Sequence, residues 1–395
     1  MRTPHHRRRA ALPVLLSAGL LLTACGTDDD TASEAGAETS DETGVSANEP
    51  IVTTFDGGLY VLDGQTLEVA QDIELEGFNR LNPAGDERHV FVSTSEGFQV
   101  LDAVGAEQTD TVFSADTPGH VVRHAGRTVL FADGTGEVTA FDTDALGEGM
   151  PEDLDTYTTE EAHHGVAVEL ENGELLVTLG DEEERVGAVV LDEDREEVAR
   201  SEECPGVHGE TTAQGEAVVI GCEDGVLTYQ DGEFTKVDSE DDYGRIGNQA
   251  GSDDSPVVLG DYKTDPDAEL ERPEQVALVD TADASMTLVD LPASYTFRSL
   301  GRGPNGEALV LGTDGALHVI DPETAEITDS VELMDEWEEP LEWQQPRPAL
   351  FVRGGTAYVT DTATDQVHAV DLASGEVTAS VTLAETPNEL SGVDH

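Results

Sequence analysis

One phrase recurs along this chain. A glycine turn leads into a short apolar strand that closes on aspartate, and a second turn and a polar strand follow. It reads Gly58-Leu59-Tyr60-Val61-Leu62-Asp63, Gly97-Phe98-Gln99-Val100-Leu101-Asp102, Val138-Thr139-Ala140-Phe141-Asp142 and Gly187-Ala188-Val189-Val190-Leu191-Asp192. Later copies are Val226-Leu227-Thr228-Tyr229, Val276-Ala277-Leu278-Val279-Asp280, Leu317-His318-Val319-Ile320-Asp321 and Val367-His368-Ala369-Val370-Asp371. Short alternating strands at regular spacing define an all-β repeat, and no stretch holds a helical period. A repeat of about 40–45 residues is one four-stranded propeller blade, whose apolar faces are buried only by stacking on neighbours. The expectation is a β-propeller of eight blades over residues 51–395, with seven as the alternative. The first copy lacks an inner strand, because Ile51 follows a polar segment directly. Pro387-Asn388-Glu389-Leu390 resembles one, so the C-terminal strand is expected to complete blade one and remove a free sheet edge.

Composition agrees with many short strands: 40 glycines and 37% hydrophobic residues. The charge is extreme, with 85 acidic against 19 basic residues and a formal net charge of −66. Such a surface repels nucleic acid and anionic lipid and attracts cations. Residues 1–24 read as a secretion signal: Arg7-Arg8-Arg9, then the apolar run Ala10 to Leu22, too short for a comfortable membrane span. Leu22-Thr23-Ala24-Cys25 resembles the cleavage site of a bacterial lipoprotein, which would leave Cys25 lipidated; an ordinary cleaved signal is the alternative. Residues 25–50 then form a lipidated cysteine and an acidic, disordered tether. A monomer outside the cytoplasm is expected, held to the cell membrane by lipid alone.

Three histidines keep one interval. His120, His164 and His208 are each 44 residues from the next, and each opens a similar stretch. At blade spacing they hold one place in three successive blades and converge near the axis. Three imidazoles with an open fourth position suit Zn2+. His163 competes with His164: even spacing selects His164, whereas a bulge selects His163. His124 is a secondary candidate. The fourth ligand is water, His163 or a carboxylate. Asp133, Asp181 and Asp224 each follow a second strand and are candidates for that place, or for accepting an imidazole N–H. The blades without this histidine carry Arg80, Arg245, Arg298 and Arg347 near the same place, to pair with carboxylates or to bind an anion. His89, His318 and His368 fall in outer strands, where a surface role is expected.

Cys204 and Cys222 remain after Cys25. Outside the cytoplasm such a pair is usually a disulfide. Cys204 just precedes an inner strand and Cys222 ends the next, antiparallel one, which brings them together. The alternative joins both thiolates to His208 as metal ligands. Two inserts break the rhythm: Asp261 to Glu274, and Glu332 to Pro346 with Trp337 and Trp343. Those tryptophans either pack over a blade edge or mark a docking site.

The phrases Asn79 to Asp102, Pro118 to Asp133, His163 to Gly165, Cys204 to Glu210, Gly221 to Gly225 and Phe297 to Asp321 resemble the AztD-type zinc metallochaperones, secreted bacterial β-propellers associated with zinc ABC importers. The Cys-Pro-Gly-Val-His-Gly-Glu segment, with its partner Gly-Cys, is the most specific part. The resemblance implies zinc binding through His120, His163 or His164, and His208. It also implies delivery to the solute-binding protein of the importer. One departure stands out: some relatives have a histidine-rich segment near the mature N-terminus, and residues 26–50 here contain none. Two other readings compete. A propeller hydrolase or lactonase would use a histidine-held metal to activate water, with Asp133 or Asp181 as base. A metal-free binding scaffold would use the histidines as channel polar groups. No serine-nucleophile, flavin or nicotinamide fingerprint is present, and the leading expectation is not an enzyme.

Overall fold

The computed structural model describes residues 46–394. The expected signal peptide, Cys25 and most of the tether lie outside the described residues. The strands form eight sheets of four antiparallel strands each, with a short fifth strand, Gly244–Arg245, beside the fifth sheet. Among the described residues the only helical element is the 3-10 turn Thr143–Glu148. The chain is therefore an eight-bladed β-propeller, and the seven-blade alternative falls away.

Within a blade the strands differ as their surroundings demand. Middle strands lie between neighbouring blades and are buried on both faces, so they read as continuous apolar runs. Gly58–Leu62 and Ala217–Cys222 are buried throughout. Outer strands such as Glu326–Glu332 and Glu376–Thr382 are mostly exposed and rich in carboxylate and threonine, which discourages pairing with a second chain. The core is thus distributed between blades. One cluster joins Val129 and Phe131 of blade three, Val177 and Val189 of blade four, and Val218 and Ile220 of blade five. Each such side chain contributes about 1.5–3 kcal/mol.

The ring closes as the sequence suggests, though the strand falls slightly later than Pro387 to Leu390. Leu390–Gly392 is the inner strand of blade one, pairing Ile51 with Gly392, Val52 with Ser391 and Thr53 with Leu390. Thr53 Oγ1 donates to the Glu389 carbonyl at 2.7 Å. Across the seam, Ile51, Tyr60 and Leu62 pack with Tyr358, Val367 and Ala369 of blade eight.

The surface role expected for three histidines is corrected. His318 and His368 are buried on third strands, each with Nδ1 2.8 Å from a serine hydroxyl directly opposite on the outer strand, Ser330 and Ser380. His89 is buried against Asp86, Nδ1 to Oδ2 2.6 Å. Burial is affordable there because each ring has a polar partner. Trp337 donates Nε1–H to the Gly312 carbonyl at 3.0 Å. Trp343 is 52% exposed and meets Phe78 edge-on at 5.0 Å.

Candidate metal centre

Each of the three evenly spaced histidines sits where the inner strand is irregular. In blade three, Pro118 pairs with Ala132 and Val121 with Leu130, so Gly119 and His120 together oppose Phe131. In blade five, His208 pairs with Gly221 and Glu210 with Ile220, which leaves Gly209 extra. Gly209 has φ +70°, a conformation open to glycine. In blade four, His164 precedes the inner strand Ala167–Glu169 altogether. Bulges re-aim side chains, and here they turn the imidazoles toward one another. The ring centroids lie 5.2, 5.8 and 5.0 Å apart for 120–164, 120–208 and 164–208. One nitrogen from each falls within 4.8 Å of the other two.

The outward nitrogens show which atoms converge. His208 donates Nδ1–H to the Gly247 carbonyl at 2.6 Å. A carbonyl only accepts, so the tautomer is fixed and the Nε2 lone pair is free. His164 Nδ1 lies 2.6 Å from Asp133 Oδ2, and His120 Nδ1 lies 3.0 Å from Glu210 Oε2. Every ring is therefore held from behind by an oxygen, with Nε2 left to donate. This is how metal-binding imidazoles are oriented and made more basic. Asp133 reaches His164 only because Gly119 has no side chain: a Cβ there would stand 2.1 Å from Asp133 Oδ1.

Two of the rings are shifted in opposite directions. Burial, then the neighbouring His120, push His208 down to about 2, so it stays neutral. Burial also acts to lower His120, but the Glu210 carboxylate outweighs it and the net shift is upward. His164 and His208 border a cavity of about 640 Å³ whose lining also includes Asp133, Arg185 and the carboxylates of Asp181 and Glu182 to Glu184. His164 is the outermost ligand, its side chain 43% exposed. Three imidazole nitrogens at an open cavity fit a borderline-soft divalent ion such as zinc.

The other candidates stand outside the cluster of three rings, although His163 and Asp181 also line the cavity. His163 is buried between blades three and four. Its Nδ1 is 3.0 Å from the Glu161 carbonyl, its Nε2 is 3.1 Å from Thr178 Oγ1, and its ring is edge-on to Phe131. Adjacent residues point apart, and the apolar gap between blades took this one. His124 ends the same inner strand that His120 begins, and its Nε2 is 3.0 Å from Glu216. Asp181 accepts the backbone N–H groups of Glu183 and Glu184 at its own turn. Asp224 pairs with Lys236. Of the three aspartates only Asp133 meets a histidine of the cluster, and it does so at Nδ1. Cys204 and Cys222 form the disulfide, Cα to Cα 4.9 Å, so neither is a thiolate ligand. Sequence reasoning missed Glu210, whose place depends on the bulge at Gly209. It also missed Arg185.

An eight-bladed propeller with a tri-histidine cavity at one end of its inner strands defines a class, and the comparisons narrow it. No family model matches the chain. The chain is similar to the zinc chaperone AztD of Citrobacter koseri, 26% identical over 286 residues, which is 70% of this chain and 65% of the relative's length. The apo structure of that protein superposes with TM-score 0.75 at 21% identity, covering 87% of this chain and 96% of the other; a second AztD structure gives 0.74. A dihydro-heme d1 dehydrogenase, NirN, shares the fold more distantly, at TM-score 0.57 and 11% identity. The likeness to AztD-type proteins carried by the sequence phrases thus extends over most of the chain.

Proposed function

We propose that this protein is an extracytoplasmic zinc chaperone, anchored by lipid at Cys25, that carries Zn2+ on His120, His164 and His208. In this reading it hands the ion to the solute-binding protein of a zinc ABC importer. The observation that carries the reading is the common orientation of the three rings, each fixed at Nδ1 by an oxygen with Nε2 turned inward. The similarity to a protein described as a zinc chaperone supports it. Zinc is cargo here, not a catalytic cofactor. A site with three protein ligands and one open side allows an incoming ligand to bind before an old one leaves. His164, nearest solvent, is the first to exchange.

The test is a zinc competition titration against a high-affinity chelator in high salt, which suppresses loose binding to the acidic surface. The expected result is one tight site, lost in His208→Ala, with transfer from loaded protein to the solute-binding protein. Weak, salt-sensitive binding that is equal in both proteins would sink the reading.

A further inference from the structure

Among the described residues, two arginines near the three imidazoles make no ion pair and no hydrogen bond through their side chains. Among the described residues every other arginine reaches a carboxylate or a backbone carbonyl, as a chain with 85 acidic residues makes easy. Arg80 and Arg298 share Glu389, Arg347 meets Glu339 at 2.6 Å, and Arg302 and Arg353 bond backbone carbonyls. Arg185 and Arg245 make no such contact. Arg185 opens the third strand of blade four and lines the cavity with His164 and His208. Arg245 lies against Gly247, the residue whose carbonyl holds His208: a Cβ on Gly247 would stand 2.2 Å from Arg245 Nη1. The two guanidinium groups feel each other, since burial and then the charge of Arg245 lower the pKa of Arg185.

Two unpaired cations beside a cation site call for an explanation. Asp133 and Glu210 already balance a divalent ion on three neutral rings. Asp181 and Glu182 to Glu184 also line the cavity, and Glu223 and Asp133 act on Arg185 through space, yet neither Arg185 nor Arg245 has a carboxylate at ion-pair distance, so their N–H donors stay open to one. We propose that Arg185 and Arg245 form a seat for a carboxylate, which takes the fourth position of the metal held by His120, His164 and His208. The inference rests on the metal reading above. Guanidinium holds a carboxylate through paired N–H donors, and a carboxylate oxygen is an ordinary zinc ligand. A seat of this kind gives the cargo a fourth ligand that is exchangeable and anionic. The carboxylate comes either from a free small acid or from an acidic side chain.

The test uses the full chain loaded with Co2+ in perchlorate medium, which does not coordinate the ion, and reads the visible spectrum of the bound cobalt. Titration with acetate is expected to change that spectrum saturably in the parent. At least tenfold more acetate is expected to be needed in Arg185→Gln and Arg245→Gln. A spectrum indifferent to acetate in the parent but altered by either substitution in carboxylate-free buffer also supports the seat, and assigns its occupant to a carboxylate of the chain itself. A cobalt spectrum that neither acetate nor substitution changes overturns the seat alone. Failure to take up cobalt overturns the metal reading and the seat together.

Discussion

His163 and His164 are adjacent, yet one packs between blades and the other faces the cavity. The difference lies in what each ring meets. His163 finds both a hydroxyl and a carbonyl, so it is satisfied where it is buried. His164 and His120 each find one carboxylate behind them and nothing in front. Removing those carboxylates should loosen the ligands without deleting them. Asp133→Asn and Glu210→Gln are each expected to weaken zinc binding about 10–100-fold, whereas His163→Ala leaves it intact and lowers stability by about 1–3 kcal/mol. Paired zinc titrations and thermal unfolding would show both effects. Acidity should act through His120. Its raised pKa means that a proton competes with the metal there, so affinity is expected to climb as the pH rises through that raised value and then level off. His208, held near 2, adds no slope in that range. Competition titrations across this range, corrected for the chelator, would show about one proton displaced per metal; a flat profile would contradict the assignment. The spacing of 44 residues was enough to pick out these ligands. The place of Asp133 after a second strand marks it as a candidate acceptor of an imidazole N–H, and it meets His164 across 31 residues; Glu210 lies across two blades from His120, a contact of which a single sequence carries no sign.

Strands and turns tell a different story. The eight apolar phrases announce blades because middle strands are enclosed on both sides and must be apolar. The bulges at Gly119-His120 and Gly209 are less visible, although a glycine beside each ligand is their trace. Their effect is large: without the extra residue, period-two alternation would send one of the two rings away from the axis. The disulfide secures the segment just ahead of one bulge. It ties the approach to His208 to the end of the adjacent strand over a separation of 18 residues. Replacing both cysteines by alanine is expected to cost about 3 kcal/mol of stability and to weaken zinc binding through a less ordered His208. Chemical denaturation under oxidising conditions, followed by zinc titration of the folded variant, would measure both. Unchanged stability would show that the blade stack alone holds this segment.

At the scale of the whole ring, one pairing joins the two ends of the propeller. Leu390–Gly392 covers the edge of Ile51–Phe55, and blade one buries its apolar side chains against blade eight. A chain ending before Asn388 leaves that edge bare. It is expected to self-associate and to lose cooperative unfolding, which light scattering and calorimetry would detect. This closure was legible because the first apolar phrase lacked an inner strand and an unclaimed one remained near the C-terminus. The seam also sets an order of events during synthesis. All three imidazoles, their oxygens and the disulfide lie between residues 118 and 248, and they leave the ribosome long before the closing strand does. The parts of the metal site are thus complete while the ring is still open. A nascent chain could hold its ligands together before it holds its shape, so the compartment that those ligands reach first decides which ion meets them.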